Sequence, residues 1–121
     1  MRRCLVVDDS RVIRKVARKI LEELHLQADE AEDGVEALAS CRRKMPDLIL
    51  LDGHMPNMGG VEFLKNLRCD PDGTHPVIVF CLTDADIGHI AEAMAAGANQ
   101  YVVKPFDRAS LEAKLVEVGM A

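Results

Sequence analysis

A regular alternation of short apolar runs with longer amphipathic stretches limits this chain to few folds. The runs have strand length and lie at residues 4–7, 27–31, 48–51, 77–82 and 100–103, the second being the most polar. Apolar residues recur at helical spacing within residues 12–24, 35–39, 59–68, 87–94 and 107–118. Strict alternation of strand and helix predicts parallel strands joined by right-handed crossovers. The predicted fold class is therefore α/β, a doubly wound five-stranded parallel sheet with five helices on its two faces.

The length and the charge of the chain narrow the classes of function. Because the chain has 121 residues, we expect residues 1–121 to form one domain. The chain ends almost directly after the fifth predicted helix, so we expect no DNA-binding or catalytic output domain. Fifteen Lys and Arg against twenty Asp and Glu give a net charge of -5, which disfavours binding to DNA.

The distribution of apolar residues and cysteines predicts a cellular location. The first apolar run stops at Asp8 and is too short for a secretory signal, and no run approaches the roughly 20 residues that cross a bilayer. The four cysteines form no C-x-x-C pair, and Cys4 and Cys81 lie in apolar runs. We therefore expect reduced thiols, a cytoplasmic protein and no membrane insertion.

Polar residues follow four of the five predicted strands at the point where each strand ends. They are Asp8, Asp9, Asp52, Thr83 and Lys104. The carboxyl ends of parallel strands share one edge of the sheet, where α/β proteins bind ligands. Three carboxylates that meet there repel one another unless a proton or a cation relieves them, and oxygen ligands favour magnesium. A hydroxyl and an ammonium beside the ion would hold a phosphoryl group.

Each of these polar residues also has an ordinary structural explanation. Asp8, Asp9 or Ser10 could cap the first helix, and Thr83 could cap the fourth. The other two positions could be turn or solvent-exposed residues. The coincidence of all of them at one edge is what favours a functional site.

Longer motifs connect these residues to a known family. The segments VVDDS at residues 6–10, LDGHMPNMGG at 51–60 and GANQYVVKPF at 97–106, together with Thr83, resemble the receiver domain of two-component response regulators. The likeness covers nearly the whole chain and is closest to the stand-alone chemotaxis type. It implies a flavodoxin-like sheet with strand order 2-1-3-4-5.

The resemblance implies a phosphoacceptor and its metal ligands. Asp52 would accept a phosphoryl group, and magnesium would be the cofactor. Asp9 would bind the ion directly and Asp8 mainly through water, while the backbone carbonyl of His54 would complete the protein ligands. The phosphoryl donor would be the phosphohistidine of a histidine kinase or a histidine phosphotransfer protein.

The resemblance also implies a switch. Thr83 would hydrogen-bond a phosphoryl oxygen, Lys104 would pair with the phosphoryl charge, and Tyr101 would change rotamer on activation. The Lys104–Pro105 bond would be cis. Output would be phosphorylation-dependent binding of a downstream protein to the surface around helix four, strand five and helix five. The resemblance also implies that the chain is a phosphoacceptor and not an enzyme, although it assists its own phosphorylation and dephosphorylation.

Two other classes of function fit these residues less well. A magnesium-dependent phosphatase with an aspartyl nucleophile is the main alternative, but such enzymes resemble D-x-D at the nucleophile, and here His54 stands two residues after Asp52. A dinucleotide-binding domain is disfavoured because no G-x-G-x-x-G follows the first strand.

The first predicted helix carries a run of basic residues, which are Arg11, Arg14, Lys15, Arg18 and Lys19. A solvated face is the simplest interpretation. There are two alternatives, and the sequence does not distinguish between them: docking to an acidic partner surface, or binding of an anionic ligand such as a cyclic dinucleotide.

The remaining polar residues suggest no second site. His25, His54, His75 and His89 have no mutual spacing typical of metal ligands, so we predict no zinc site. Asp84 follows Thr83 where the family often has alanine or glycine, and we expect its charge to disfavour small anionic phosphodonors.

Overall fold

A computed structural model describes residues 1–83 and 88–121 of the chain. Its five parallel strands are β1 (Arg3–Val7), β2 (Gln27–Ala31), β3 (Leu48–Asp52), β4 (Val77–Leu82) and β5 (Gln100–Val103). They form one sheet in the order β2-β1-β3-β4-β5. The predicted doubly wound α/β fold is confirmed.

Helices follow the strands in strict alternation: α1 (Arg11–Glu23), α2 (Gly34–Arg43), α3 (Gly60–Cys69), α4 (Ile90–Ala96) and α5 (Arg108–Glu117). Side chains that accept hydrogen bonds from the first turn set three of the starts. Ser10 caps α1, Asp33 caps α2, and Asp107 forms a capping box with Ser110 at α5. The fourth predicted helix included Ile87, which lies outside the described residues, as does Asp84.

The sheet separates two apolar layers, because successive side chains of a strand point to opposite faces. On β3 the side chains of Ile49 and Leu51 pack into one layer, and those of Leu48 and Leu50 pack into the other. All five residues of β3 are buried, as expected for a central parallel strand. The buried central strand β3 therefore ends at Asp52.

Two further expectations are tested by the backbone. The Lys104–Pro105 bond is cis, as the resemblance implied. Within residues 1–83 and 88–121, no helix has the length and apolar character needed to cross a membrane.

Candidate functional site

The order of the strands brings the ends of β1 and β3 together. β3 pairs with β1 through Val7 and Leu51, so the next residues, Asp8 and Asp52, come side by side at the carboxyl edge of the sheet. The strand order reverses between β1 and β3, which is where doubly wound sheets open a crevice. The topology alone therefore places two carboxylates in that crevice.

Three carboxylates meet at this edge. Asp8, Asp9 and Asp52 each contribute one oxygen, and these atoms lie within 4.8 Å of one another. Asp8 is 3% exposed and Asp52 is 6% exposed, whereas Asp9 is exposed at the mouth. The cluster thus has a buried floor and a side that solvent reaches.

The Lys104 ammonium lies against the two buried carboxylates. Its Nζ donates to Asp8 Oδ2 at 2.6 Å and to Asp52 Oδ1 at 2.9 Å. Its backbone N–H donates to the Leu82 carbonyl at 2.7 Å, which extends the pairing of β5 with β4 and fixes where the side chain begins. Burial by itself would lower the pKa of Lys104, but the hydrogen bonds to the two carboxylates outweigh it and raise that pKa. Lys104 is therefore a fixed positive charge at neutral pH.

Burial and pairing act in opposite directions on Asp52. Desolvation raises the pKa of its carboxyl group, and the charge of Asp8 adds to this effect. Hydrogen bonds from Lys104 and from the backbone N–H of His54 lower the pKa, but the net direction is upward. One ammonium does not compensate three carboxylates in a partly dry crevice.

The segment after β1 serves both the helix and the site. Ser10 Oγ accepts from the backbone N–H of Ile13 at 3.3 Å and caps α1, while the Ser10 N–H donates to Asp8 Oδ1 at 2.9 Å. The Arg14 guanidinium donates to the Asp8 carbonyl at 2.7 Å. The capping explanation is thus correct for Ser10, whereas the Asp8 side chain turns toward the crevice.

The other predicted site residues lie on three different segments. Thr83 follows β4 directly, is exposed, and lines a cavity together with Lys104. His54 is exposed on the loop after β3. Tyr101 lies on β5, partly buried, with the Lys114 ammonium 4.8 Å from its ring centre. Tyr101 is not part of the acidic cluster.

The residues of the cluster fit a hard divalent cation. Asp8, Asp9 and Asp52 carry three negative charges, and Lys104 neutralises one of them. All three candidate ligands are oxygens, and the exposed side at Asp9 leaves room for water ligands, a combination that suits magnesium.

Comparison with known proteins identifies the family. Residues 4–116 match the response regulator receiver domain. The chain belongs to the response regulator receiver family. The matched residues include both the acidic cluster and Lys104.

Individual relatives agree with this assignment. This receiver domain is 36% identical over 115 residues to chemotaxis protein CheY-3 of Vibrio cholerae serotype O1, covering 94% of this chain and 88% of that protein. The structure of chemotaxis protein CheY4 of Vibrio cholerae matches with a TM-score of 0.91 and 34% identity, covering 98% of both chains. The receiver domain of a sensor histidine kinase of Pseudomonas aeruginosa, solved with magnesium in its active-site cleft, matches with a TM-score of 0.87 and 29% identity over 96% of this chain and 95% of that chain.

The sequence did not show how the basic residues of α1 are used. The Glu30 carboxylate on β2 accepts hydrogen bonds from Arg14, Lys15 and Arg18 at 3.0, 2.8 and 3.2 Å. These pairs reduce the positive charge of the helix face and favour the solvated-face interpretation over an anionic ligand. The signal that could have revealed them is the position of Glu30 on an edge strand next to α1.

Proposed function

We propose that residues 1–121 act as one receiver domain that accepts a phosphoryl group on Asp52. The observation that carries the proposal is the Asp52 carboxylate itself, 6% exposed at the end of β3, within 4.8 Å of two other carboxylates and 2.9 Å from Lys104. A buried carboxylate beside a fixed cation is an oxygen nucleophile held in one orientation.

The chemistry requires little proton transfer. A carboxylate oxygen of Asp52 forms a bond to phosphorus while the phosphorus–nitrogen bond of the donor phosphohistidine breaks, and the imidazole leaves with the electron pair and takes a proton from water. Lys104 remains protonated and faces the charge that accumulates on the phosphoryl oxygens. Thr83 supplies a hydroxyl donor at the same edge.

Magnesium is the cofactor that we assign to the acidic cluster. Asp9 and Asp52 would hold it directly, Asp8 mainly through water, and the backbone carbonyl of His54 would be the remaining protein ligand. When bound, the ion supplies charge neutralisation at the transferring phosphoryl group. The receiver domain of similar fold that was solved with magnesium in its cleft supports this assignment.

We infer that the donor protein docks on α1, beside the acidic cluster. Val12 and Val16 on α1 are 72% and 47% exposed, and Val16 lines a cavity of about 390 Å³ with Pro105, Phe106 and Lys104. This apolar surface ends at the phosphorylation site, so a helix that carries the phosphohistidine can bury it while reaching Asp52. We place the histidine kinase or phosphotransfer partner here.

Output is assigned to the surface of α4, β5 and α5. Phosphorylation of Asp52 adds negative charge beside Lys104, and the phosphoryl group becomes a new partner of the ammonium besides Asp8. Lys104 continues β5, and Tyr101 lies on that strand against Lys114 of α5. A shift of Lys104 or Thr83 toward the phosphoryl group is therefore transmitted to the surface that a downstream protein would bind.

Labelling with phosphoramidate, a small phosphorus–nitrogen donor, tests the proposal. We expect a magnesium-dependent, hydroxylamine-sensitive label on the wild-type chain, no label on Asp52→Asn, and a normal label on Asp72→Asn, which changes an exposed aspartate. Labelling of Asp52→Asn would place the acceptor elsewhere. Multiple turnover of p-nitrophenyl phosphate would favour the phosphatase instead.

The docking surface needs a second comparison. In Val16→Asp, transfer from a purified phosphotransfer domain should fall at least tenfold, while labelling by phosphoramidate stays within twofold. Val35→Asp, on the exposed face of α2, is the matched control. Equal transfer rates in both variants would show that the donor protein does not dock on α1.

A further inference from the structure

Two histidines that are far apart in the sequence come into contact in the fold. The rings of His54, on the loop after β3, and His89, which precedes α4, have centres 6.1 Å apart with their planes at 70°. The contact therefore joins the loop that follows Asp52, the proposed phosphoacceptor, to the start of the fourth helix. The spacing of the histidines along the chain gave no sign of this contact, which is why the sequence predicted no zinc site.

The two rings open onto a shared cavity that also contains carboxylates. The cavity has a volume of about 240 Å³, and Glu62 of α3 and Glu92 of α4 line it together with both histidines. All four of these side chains are exposed, so metal ions in solution can reach them. Two imidazoles and a carboxylate are a donor set for zinc, cobalt or nickel and a poor one for magnesium.

We propose that His54 and His89, with Glu62 or Glu92, form a second metal site that takes a borderline transition-metal dication such as zinc. Two imidazoles on one tetrahedral ion have ring centres about 5 Å apart, given nitrogen–metal distances of about 2 Å. The observed separation is about 1 Å larger, so both exposed side chains must rotate toward a common point before they ligate one ion. A carboxylate from the same cavity and water would complete the coordination.

Among residues 1–83 and 88–121, the main competing metal ligands are the acidic cluster and the cysteines. The acidic cluster offers only oxygens and is blocked by excess magnesium. Burial raises the pKa of the Cys41 thiol to about 11 and that of the Cys81 thiol to about 12, and it raises the pKa of Cys4 as well. Cys69 is exposed, so the test uses a Cys69→Ser background.

Titration of the unphosphorylated chain with cobalt in excess magnesium tests the site, and it does not depend on the proposed phosphorylation. We expect one cobalt ion per chain, visible by its absorption and displaced by zinc. Affinity should fall at least tenfold in His54→Gln and in His89→Gln, and also in Glu62→Gln or Glu92→Gln. His25→Asn is the matched control, because asparagine tolerates the positive φ of that exposed position, and its affinity should stay within twofold.

Three results would overturn the proposal. The first is equal cobalt affinity in the wild type, His54→Gln and His89→Gln. The second is loss of the bound cobalt when magnesium is added, which would assign the cobalt to the acidic cluster. The third is the absence of saturable cobalt binding. Amide spectra of each variant check that the fold is retained.

Discussion

The Lys104 ammonium separates two buried carboxylates, and its removal would leave their charges facing each other. We expect Lys104→Ala to lower the free energy of unfolding by about 2–4 kcal/mol at neutral pH, because breaking a buried ion pair leaves an uncompensated charge. Magnesium should recover part of the loss, since it supplies positive charge at the same place. Urea unfolding with and without magnesium measures both effects.

Lys65→Ala, at an exposed position of α3, is the control for Lys104→Ala. Its unfolding free energy should stay within about 0.5 kcal/mol of the wild type. If Lys104→Ala were as stable as this control, the ammonium would not balance the aspartates.

The raised pKa of Asp52 predicts a stability change with a defined dependence on pH. A carboxyl group whose pKa is higher in the folded state destabilises the fold when it is ionised, and the penalty disappears as pH falls through that pKa. Without magnesium, Asp52→Asn should therefore unfold at a higher urea concentration than the wild type at pH 7. The difference should shrink toward acidic pH.

The exposed Asp72→Asn provides the comparison for Asp52→Asn, and its stability relative to the wild type should not follow this pH profile. A gain in Asp52→Asn that is constant with pH, or a loss at neutral pH, would contradict the assigned direction.

At the scale of elements, Glu30 connects β2 to α1. The pKa of its carboxyl group is lowered to about 2, mainly by the hydrogen bond from Lys15. Desolvation opposes this shift, and the hydrogen bonds from Arg14 and Arg18 add to it. Because two of these cations are 42–55% exposed, solvent weakens the pairing. We expect Glu30→Gln to lower the free energy of unfolding by about 1–2 kcal/mol at neutral pH.

The sign of this effect with pH follows from the lowered pKa. The stabilisation is complete above the pKa of the unfolded carboxyl, near 4.5, and is lost as pH falls toward about 2. The unfolding curves of Glu30→Gln and the wild type should therefore converge between these values, whereas the exposed Glu32→Gln should match the wild type throughout. Curves that stay apart at low pH would show that packing, and not charge, is responsible.

Arg68 links the end of α3 to two loops, the one after α3 and the one after α4. Its guanidinium donates to the carbonyls of Gly73, Pro76 and Gly97 at 2.9, 2.8 and 2.6 Å and to Asn99 Oδ1 at 3.1 Å. Desolvation lowers the pKa of this partly buried cation. We expect Arg68→Ala to cost about 2–4 kcal/mol, because several carbonyls lose their donor at once.

The variant Arg68→Lys tests whether the stabilisation comes from the hydrogen-bond network or only from the positive charge. One ammonium does not span the same acceptors, so Arg68→Lys should recover less than half of the loss in urea unfolding. Amide exchange should quicken at the end of α4, near Gly97. Full recovery by lysine would mean that only the charge matters.

At the scale of the molecule, the sequence predicted the architecture because the pattern that specifies it is local. Runs such as residues 48–51 and 77–82 are apolar throughout since their strands are central, and the structure buries them on both faces. The weaker run at 27–31 became the edge strand β2, whose buried residues are Ala28 and Ala31. Strand ends could be predicted for the same reason, which is why the acidic cluster was expected.

Contacts between distant segments could not be predicted in this way. Nothing near Arg68 in the sequence indicates that its partners lie after α3 and after α4. The pairing of Glu30 with α1 and the contact of His54 with His89 also depend on how the loops and helices pack against the sheet. Such contacts follow from tertiary packing, which no short window of sequence contains.

The most direct test of the account is to locate the phosphoryl group chemically. Borohydride reduces an aspartyl phosphate to homoserine, so treatment of the phosphoramidate-labelled chain followed by peptide mass spectrometry identifies the acceptor. We predict homoserine at position 52 alone, and none when magnesium is removed. Homoserine at Asp8 or Asp9, or a phosphoryl group retained on a histidine with Asp52 unchanged, would contradict the central claim.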